Sequence, residues 1–240
     1  MQIRQADKHM QTSLHGIAKR AKSSPKHRFG NLISLLSEDN LIWCFPQLNR
    51  KAAPGVDAVD YDMYEADLEE NIKRMVDDLK GNRYKAKLVK RRYIPKAGGM
   101  KRPLGIPAVG DKVLQKAVAL ILSAIYEEHF LPCSHGYRRG KGPQRAAIEL
   151  SRDLQRGRYG WIVDADIKGF FDNIDHDWMM RMLEERIDDK RFLRLIRKWL
   201  KAGILEEDGQ VLYPVTGTPQ GGIVSAILAN IYLHYGIGNE

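Results

Sequence analysis

Cysteine is nearly missing from this chain. Cys44 and Cys133 stand far apart and without companion ligands at metal spacing. That excludes a disulfide framework and a zinc site, and both thiols read as buried or incidental. No run of about 18 apolar residues occurs, so no membrane-spanning helix is expected. The first residues (Met1-Gln-Ile-Arg4, then Asp7, Lys8 and His9) lack the apolar stretch of a secretory signal. These absences point to an intracellular, cytoplasmic protein with no membrane partner. No internal repeat is present. Acidic residues are missing from the whole stretch 83–102, where nine basic ones stand: Arg83, Lys85, Lys87, Lys90, Arg91, Arg92, Lys96, Lys101 and Arg102. With a formal net charge of +9 and Tyr84 and Tyr93 interleaved, that sign asymmetry favours a polyanionic partner, since phosphate contacts dominate nucleic-acid affinity.

What is present is ample for a core: 240 residues, 43% of them hydrophobic. Residues 1–30 read as a basic arm, mobile or RNA-touching. Leu32, Leu35 and Leu36 have helical spacing within 31–45. Leu68, Ile72, Met75 and Leu79 give an amphipathic helix over 62–80, ended by Gly81-Asn82. Lys87 to Pro95 and the return toward Ile106 predict a basic hairpin turning at Gly98-Gly99. Helices are expected over 112–131, 143–156, 177–187, 191–201 and 224–235. A second hairpin is expected around Gly209, and a loop over 217–222. Trp161-Ile-Val-Asp-Ala-Asp166 reads as a buried strand delivering a carboxylate to its end, with Trp161 and Trp199 in the core. Strands and helices mixed in no βαβ order indicate an α+β fold.

Three separated segments carry the chemistry. Asp166 ends the strand and precedes Lys-Gly-Phe-Phe; a strand-borne aspartate can hold Mg²⁺ against nucleotide phosphates, because that cation takes oxygen ligands and shares them with substrate. Lys96 and Arg102 flank the hairpin tip. Gln220 lies in a Pro-Gln-Gly-Gly turn opening a helix, whose free backbone N–H groups suit an anion or a base edge. These segments resemble the reverse transcriptases of group II introns, the intron-encoded reverse transcriptase/maturase family. The matching stretches are Tyr93-Ile-Pro-Lys-Ala-Gly-Gly-Met-Lys-Arg-Pro-Leu-Gly-Ile-Pro107, Ser134-His-Gly-Tyr-Arg138, Val163-Asp-Ala-Asp-Ile-Lys-Gly-Phe-Phe-Asp-Asn-Ile-Asp-His176 and Thr216-Gly-Thr-Pro-Gln-Gly-Gly-Ile-Val-Ser-Ala-Ile-Leu-Ala-Asn230. They run in family order, within a resemblance spanning about residues 31 to 235. Retron, diversity-generating and CRISPR-associated reverse transcriptases share such motifs; the long basic lead and the Phe-Phe-Asp-Asn-Ile-Asp-His run favour the intron type.

The resemblance implies a right-hand polymerase: fingers over 31–110 and 178–213, and a partial palm over 111–177 and 214–240. It implies an RNA-directed DNA polymerase adding dNTPs to a DNA primer on an RNA template, with Mg²⁺ as cofactor and Mn²⁺ as its substitute. Asp166 matches the first metal-binding aspartate, and the carbonyl of Ile167 its companion ligand. Phe171 matches the ring that clashes with a 2′-hydroxyl. Lys96 and Arg102 match the triphosphate grip, two cations able to neutralise charge growing on the leaving pyrophosphate. Gln220 matches the residue supporting the nascent base pair. Lys90, Arg91, Arg92 and Arg138 are the candidate nucleic-acid contacts. Asp164, two residues before Asp166 on the same strand face, is its geometric rival; the family spacing to Phe171 selects Asp166. Asp172 and Asp175 read as capping or orienting the next helix, and His135 and His176 as structural hydrogen-bonders.

The sequence departs from the family pattern in one respect. Such polymerases use two metal ions roughly 3.5–4 Å apart, and the family supplies further carboxylates from a Tyr-Ala-Asp-Asp hairpin shortly after the Pro-Gln-Gly-Gly helix. No such hairpin follows here, nor a thumb. Met75-Val-Asp-Asp-Leu79 is a decoy at helical spacing, upstream of Asp166. The expectation is therefore a chain inactive alone, with Ile227, Leu228 and Ile231 of the last helix partly uncovered. The alternative function is an RNA-binding maturase-like module that grips intron RNA without polymerising.

Overall fold

The computed structural model describes residues 2–95, 99, 101–157 and 159–237. Nine helices surround one another and a small sheet. They are α1 (Gln2–Ser23), α2 (Glu38–Cys44), α3 (Tyr61–Ala66), α4 (Leu68–Lys80), α5 (Val109–Tyr126), α6 (Pro143–Gln155), α7 (His176–Glu184), α8 (Lys190–Leu200) and α9 (Ser225–Ile237) among the described residues. The strands are β1 (Val89–Pro95), β2 (Lys101–Ile106), β3 (Ile204–Leu205) and β4 (Val211–Leu212). The mixture is the expected α+β class.

Local chemistry explains the helix boundaries. Ser37, Asp60 and Asp175 each accept a hydrogen bond from the backbone N–H three residues on, capping α2, α3 and α7. Asp189 accepts from the N–H groups of both Arg191 and Phe192 at 3.0 Å and also from Ile33 N–H at 2.9 Å, so one carboxylate caps α8 and anchors the 3₁₀ turn Leu32–Leu35. The helix anticipated over 62–80 is broken at Asp67 into α3 and α4. The basic arm is a docked helix: α1 lies on α2 and α5 with Met10 and Ala21 buried.

The core forms around α5. Val113, Leu114, Ala117, Val118, Ile121, Leu122, Ile125 and Tyr126 are all buried, and the polar Asp111, Lys112 and Gln115 are buried with them, so the helix is enclosed on most sides. α1, α2, α3, α4 and α9 pack against it. α8 buries Phe192, Leu195, Ile196 and Trp199, the face expected from its spacing. Ile227, Leu228 and Ile231 are buried too, not partly uncovered, because α9 lies between α5 and α7.

The sheet has the order β2-β1-β3-β4. β1 and β2 are antiparallel, with Ile94 opposite Arg102 and Lys90 opposite Ile106. β3 joins β1 in parallel through Val89 and Ile204, and β4 closes the edge. Both anticipated hairpins therefore belong to a single sheet.

One expected element is not a strand. Residues 161–167 run as exposed, unpaired chain, with Trp161 92% and Val163 90% exposed. Trp161 is thus no core residue, whereas Trp199 is. The physical reason is that β-forming side chains make a strand only against a partner edge, and among the described residues no strand pairs with this segment. α6 shares that open flank and buries none of its side chains. No helix of the described residues is long and apolar enough to cross a membrane.

Candidate nucleotide site

The loop 216–222 is the hub of the site, and three elements hold it. The first is the stretch that follows Asp166. Gly169, with φ 61°, turns the chain into a 3₁₀ segment, Phe170–Asn173. From there the Phe171 carbonyl accepts from Thr218 N–H at 2.8 Å, the Ile174 carbonyl accepts from Gly217 N–H at 2.7 Å, and the Asp172 carbonyl accepts from the Thr216 hydroxyl at 3.0 Å. His176, buried at the start of α7, donates Nε2–H to the Gly217 carbonyl at 2.7 Å. It is a structural hydrogen-bonder, as its sequence context suggested, and Asp175 is the helix cap.

The second element is the hairpin. Arg102 Nε donates to Gln220 Oε1 at 2.8 Å, and Gly105 N–H donates to the Gln220 carbonyl at 2.6 Å. The third is α5, whose buried Gln115 accepts from Ile223 N–H at 3.0 Å. Ser225 adds a hydroxyl bond to the Pro219 carbonyl. The N–H groups of Gly222, Ile223 and Ser225 are all used internally. The turn's free amides expected for an anion are therefore not on offer at those three positions.

Two glycines permit the close approach. Gly217 has φ 89°, and a Cβ there would lie 2.8 Å from the Asp172 carbonyl oxygen. Gly221 has φ 111°, and a Cβ there would lie 2.5 Å from the Gly105 carbonyl oxygen. A cleft of about 490 Å³ opens beside the loop, lined in part by Arg91, Asp172, Tyr213, Thr216 and Pro219. That is within the range of small-ligand sites.

Of the sequence-derived site residues, Arg102 and Gln220 meet directly, and Phe171 is tied to the same loop through its backbone. Asp166 and Ile167 lie on the exposed segment leading into it. Lys96 lies outside the described residues. The described residues contain no group of three or more His, Cys, Asp or Glu able to hold a metal ion, so they do not make a metal site by themselves.

The basic residues divide by what they touch. Arg91 forms an ion pair with Glu206 at 3.2 Å, both side chains largely buried, and the Tyr93 hydroxyl donates to the same carboxylate at 2.9 Å. Arg92 pairs with Glu207 at 3.1 Å on the surface. Lys90 is half-buried on β1. Sequence reading missed these acids because they arrive about a hundred residues later, across the β1–β3 seam; Glu206-Glu-Asp208 in the second hairpin was the available signal. Tyr84 is likewise buried, in a network described below, and is no surface stacker.

Arg138 has a structural task. Its side chain is only 6% exposed. Its guanidinium pairs with Glu127 at 2.7 Å and donates to the carbonyls of Leu131 and Ser134, both at 2.8 Å, above the ring of Phe130. Arg138→Ala is expected to lower stability by about 2–3 kcal/mol, the value of charge-assisted bonds lost in a largely buried place. Any salt dependence of nucleic-acid binding should stay unchanged. Urea unfolding and a salt titration check both parts, and a flattened salt slope would return Arg138 to the nucleic-acid surface.

The profile of the family "Reverse transcriptase (RNA-dependent DNA polymerase)" matches residues 94–238. The chain belongs to that family. Within it, the chain falls with the group II intron reverse transcriptases and maturases. It is 46% identical over 169 residues to "Group II intron-encoded protein LtrA" of Lactococcus lactis subsp. cremoris, a match covering 69% of this chain and 27% of that protein. It is 35% identical over 230 residues to the "Uncharacterized 91 kDa protein in cob intron" of Schizosaccharomyces pombe, covering 95% of this chain and 28% of that protein. Among solved structures, a chain of the "Partial Cas6-RT-Cas1--Cas2 complex" matches with TM-score 0.54 at 22% identity, over 88% of this chain and 35% of that one. That likeness bears on fold alone. The chain spans about a quarter of these curated relatives' length. Reverse transcriptases use divalent metal and act on nucleic acid, and the expected membership of the group II intron reverse transcriptase/maturase family holds.

Proposed function

We propose that this chain forms the nucleotide-binding part of an RNA-directed DNA polymerase, adding dNTPs to a primer 3′ end on an RNA template. The observation that carries it is the bond from Arg102 to Gln220, 118 positions apart in sequence, on a loop whose Thr218 is bonded to Phe171. Three residues matched independently to one nucleotide site thus share one scaffold.

In this reading the fingers comprise 31–110 and 178–213, and the joining of β1–β2 with β3–β4 in one sheet supports that grouping. The partial palm comprises 111–177 and 214–240. Arg102 spends one N–H on Gln220, and an arginine has further donors left for a triphosphate. Gln220 supports the new base pair, and Phe171 stands against the sugar's 2′ position. Asp166, with the Ile167 carbonyl, contributes oxygen ligands toward Mg²⁺, which supplies Lewis-acid stabilisation when bound. Lys96 completes the grip on phosphate. With Arg91 and Arg92 already paired to acids, the polymerase reading outweighs one in which these arginines chiefly hold intron RNA.

The test is calorimetric dNTP binding, with and without Mg²⁺, in the presence of a primer on an RNA template. Asp166→Asn should abolish the gain in affinity that Mg²⁺ confers. Arg102→Ala should weaken dNTP binding by roughly ten- to a hundredfold, as expected for one charge-assisted bond. Unchanged dNTP affinity in Arg102→Ala, or an undiminished Mg²⁺ effect in Asp166→Asn, would sink the assignment.

A further inference from the structure

Tyr137 is built into a place that folding alone does not require. Its φ is 54°, a conformation that ring-bearing residues rarely adopt. Its side chain is nevertheless 67% exposed, so burial of the ring is no compensation. Both neighbours are fastened. Asn230 of α9 donates to the Gly136 carbonyl at 2.8 Å, and Arg138 is clamped to Glu127, Leu131 and Ser134. Two buried or nearly buried polar side chains thus hold a loop whose central residue projects outward. Unusual backbone states of this kind gather at working sites, and the inference runs from the outlier to the role.

The ring of Tyr137 meets Phe171 edge to face, with centroids 6.2 Å apart and planes at 84°. Phe171 also meets its neighbour Phe170 at 5.6 Å and 69°, and Phe170 in turn meets Tyr232 of α9 at 6.3 Å. Phe171 therefore touches both a ring packed against the core and a ring held out by a strained loop. A bulky ring rejects an extra hydroxyl only to the extent that it cannot swing aside. Without Tyr137, one escape route is open.

We propose that Tyr137 is a positioning residue for sugar selection: it buttresses Phe171 and so sharpens discrimination between deoxyribonucleotides and ribonucleotides. The idea rests on the reading of Phe171 as the ring beside the incoming sugar. Tyr137 acts through Phe171 and need not touch the nucleotide.

The experiment compares equilibrium binding of dATP and ATP, with Mg²⁺ and primer–template, by the wild-type chain and four variants. Tyr137→Ala and Tyr137→Gly should each reduce the dATP preference by about three- to tenfold, the scale of one edge-to-face aromatic contact. The change should come from tighter ATP binding, with dATP little altered. Glycine accepts the positive φ, so it keeps the loop if alanine disturbs it. Tyr137→Phe should retain the wild-type preference, because the contact uses the ring and not the hydroxyl. Phe171→Ala should lose most of it. If Phe171→Ala relaxes selection while both Tyr137 truncations leave it intact, the buttress is wrong and the gate stands. If no variant changes selection, or the wild type shows none, the gate reading fails and takes the buttress with it. Equal weakening of both nucleotides in Tyr137→Gly, or an alanine-like Tyr137→Phe, also overturns the proposal.

Discussion

An alanine at position 221 should lower stability by about 2–6 kcal/mol and uncouple the two halves of the proposed nucleotide site. The estimate combines backbone strain at φ 111°, of order 1–3 kcal/mol, with overpacking of similar size. The new methyl group would meet the Gly105 carbonyl oxygen at 2.5 Å and Leu104 Cδ1 at 2.8 Å. A Cβ at Gly105 would itself lie 2.8 Å from both the Pro219 and Val89 side chains, so hairpin and loop are closely packed around this contact. Relief would come by parting the hairpin from the loop, which breaks the Gly105–Gln220 and Arg102–Gln220 bonds together. Denaturant unfolding and dNTP binding should therefore fall in concert. Gly209 is the control: its φ is 88° but open space surrounds it, so Gly209→Ala should show the conformational share alone. Equal losses at 209 and 221 would show that the close approach contributes nothing.

The second large effect is expected at Asp111, far from any substrate. This carboxylate, 6% exposed, accepts from the Tyr84 hydroxyl at 2.7 Å and from Lys87 N–H at 3.0 Å. The Tyr84 oxygen in turn accepts from Trp199 Nε1 at 2.8 Å. The network ties α5 and α8 to the stretch entering β1. Asp111→Ala strands one buried donor and one part-buried donor, at about 1–3 kcal/mol for the first and less for the second, so a loss of about 2–4 kcal/mol is expected in urea unfolding. Asp111→Asn can accept from only one of them and should fall between. Burial pushes the Asp111 carboxyl above its ordinary value of 3.8, against the opposing pull of its hydrogen bonds. A folded-state pKa raised in this way favours the native state below the unfolded value, and that contribution is lost as pH rises through the folded one. The wild-type advantage over Asp111→Asn should accordingly shrink with rising pH. An advantage that grew with pH would mean that the carboxylate is stabilised, not strained, by its surroundings.

The sequence made local features readable where one segment's own pattern decides them. Phe192, Leu195, Ile196 and Trp199 at helical spacing announced α8, and Lys87 to Ile106 announced the hairpin. The motifs around Arg102, Phe171 and Gln220 were distinctive enough to single these residues out as candidates, and the structure joins Arg102 to Gln220. Features set by distant neighbours were not legible. Trp161 to Asp166 has the composition of a strand but no partner edge among the described residues. Arg91 and Arg92 looked like bare phosphate contacts, yet Glu206 and Glu207 reach them from 115 positions away. Arg138 read as a candidate nucleic-acid contact for the same reason, since no pattern in its motif reveals that Glu127 and two carbonyls receive its guanidinium. Tyr137 was passed over because backbone strain leaves no mark on composition.

The parallel seam between Val89 and Ile204 has a consequence for biosynthesis. During translation the first hairpin leaves the ribosome roughly a hundred residues before its neighbouring strand, an interval on the order of ten seconds at ordinary elongation rates. Throughout that interval one border of the nascent ribbon offers unsatisfied amides and carbonyls to any passing polypeptide. Its lysines and arginines, still without Glu206 and Glu207 to offset them, then act as mutually repelling guards against premature association.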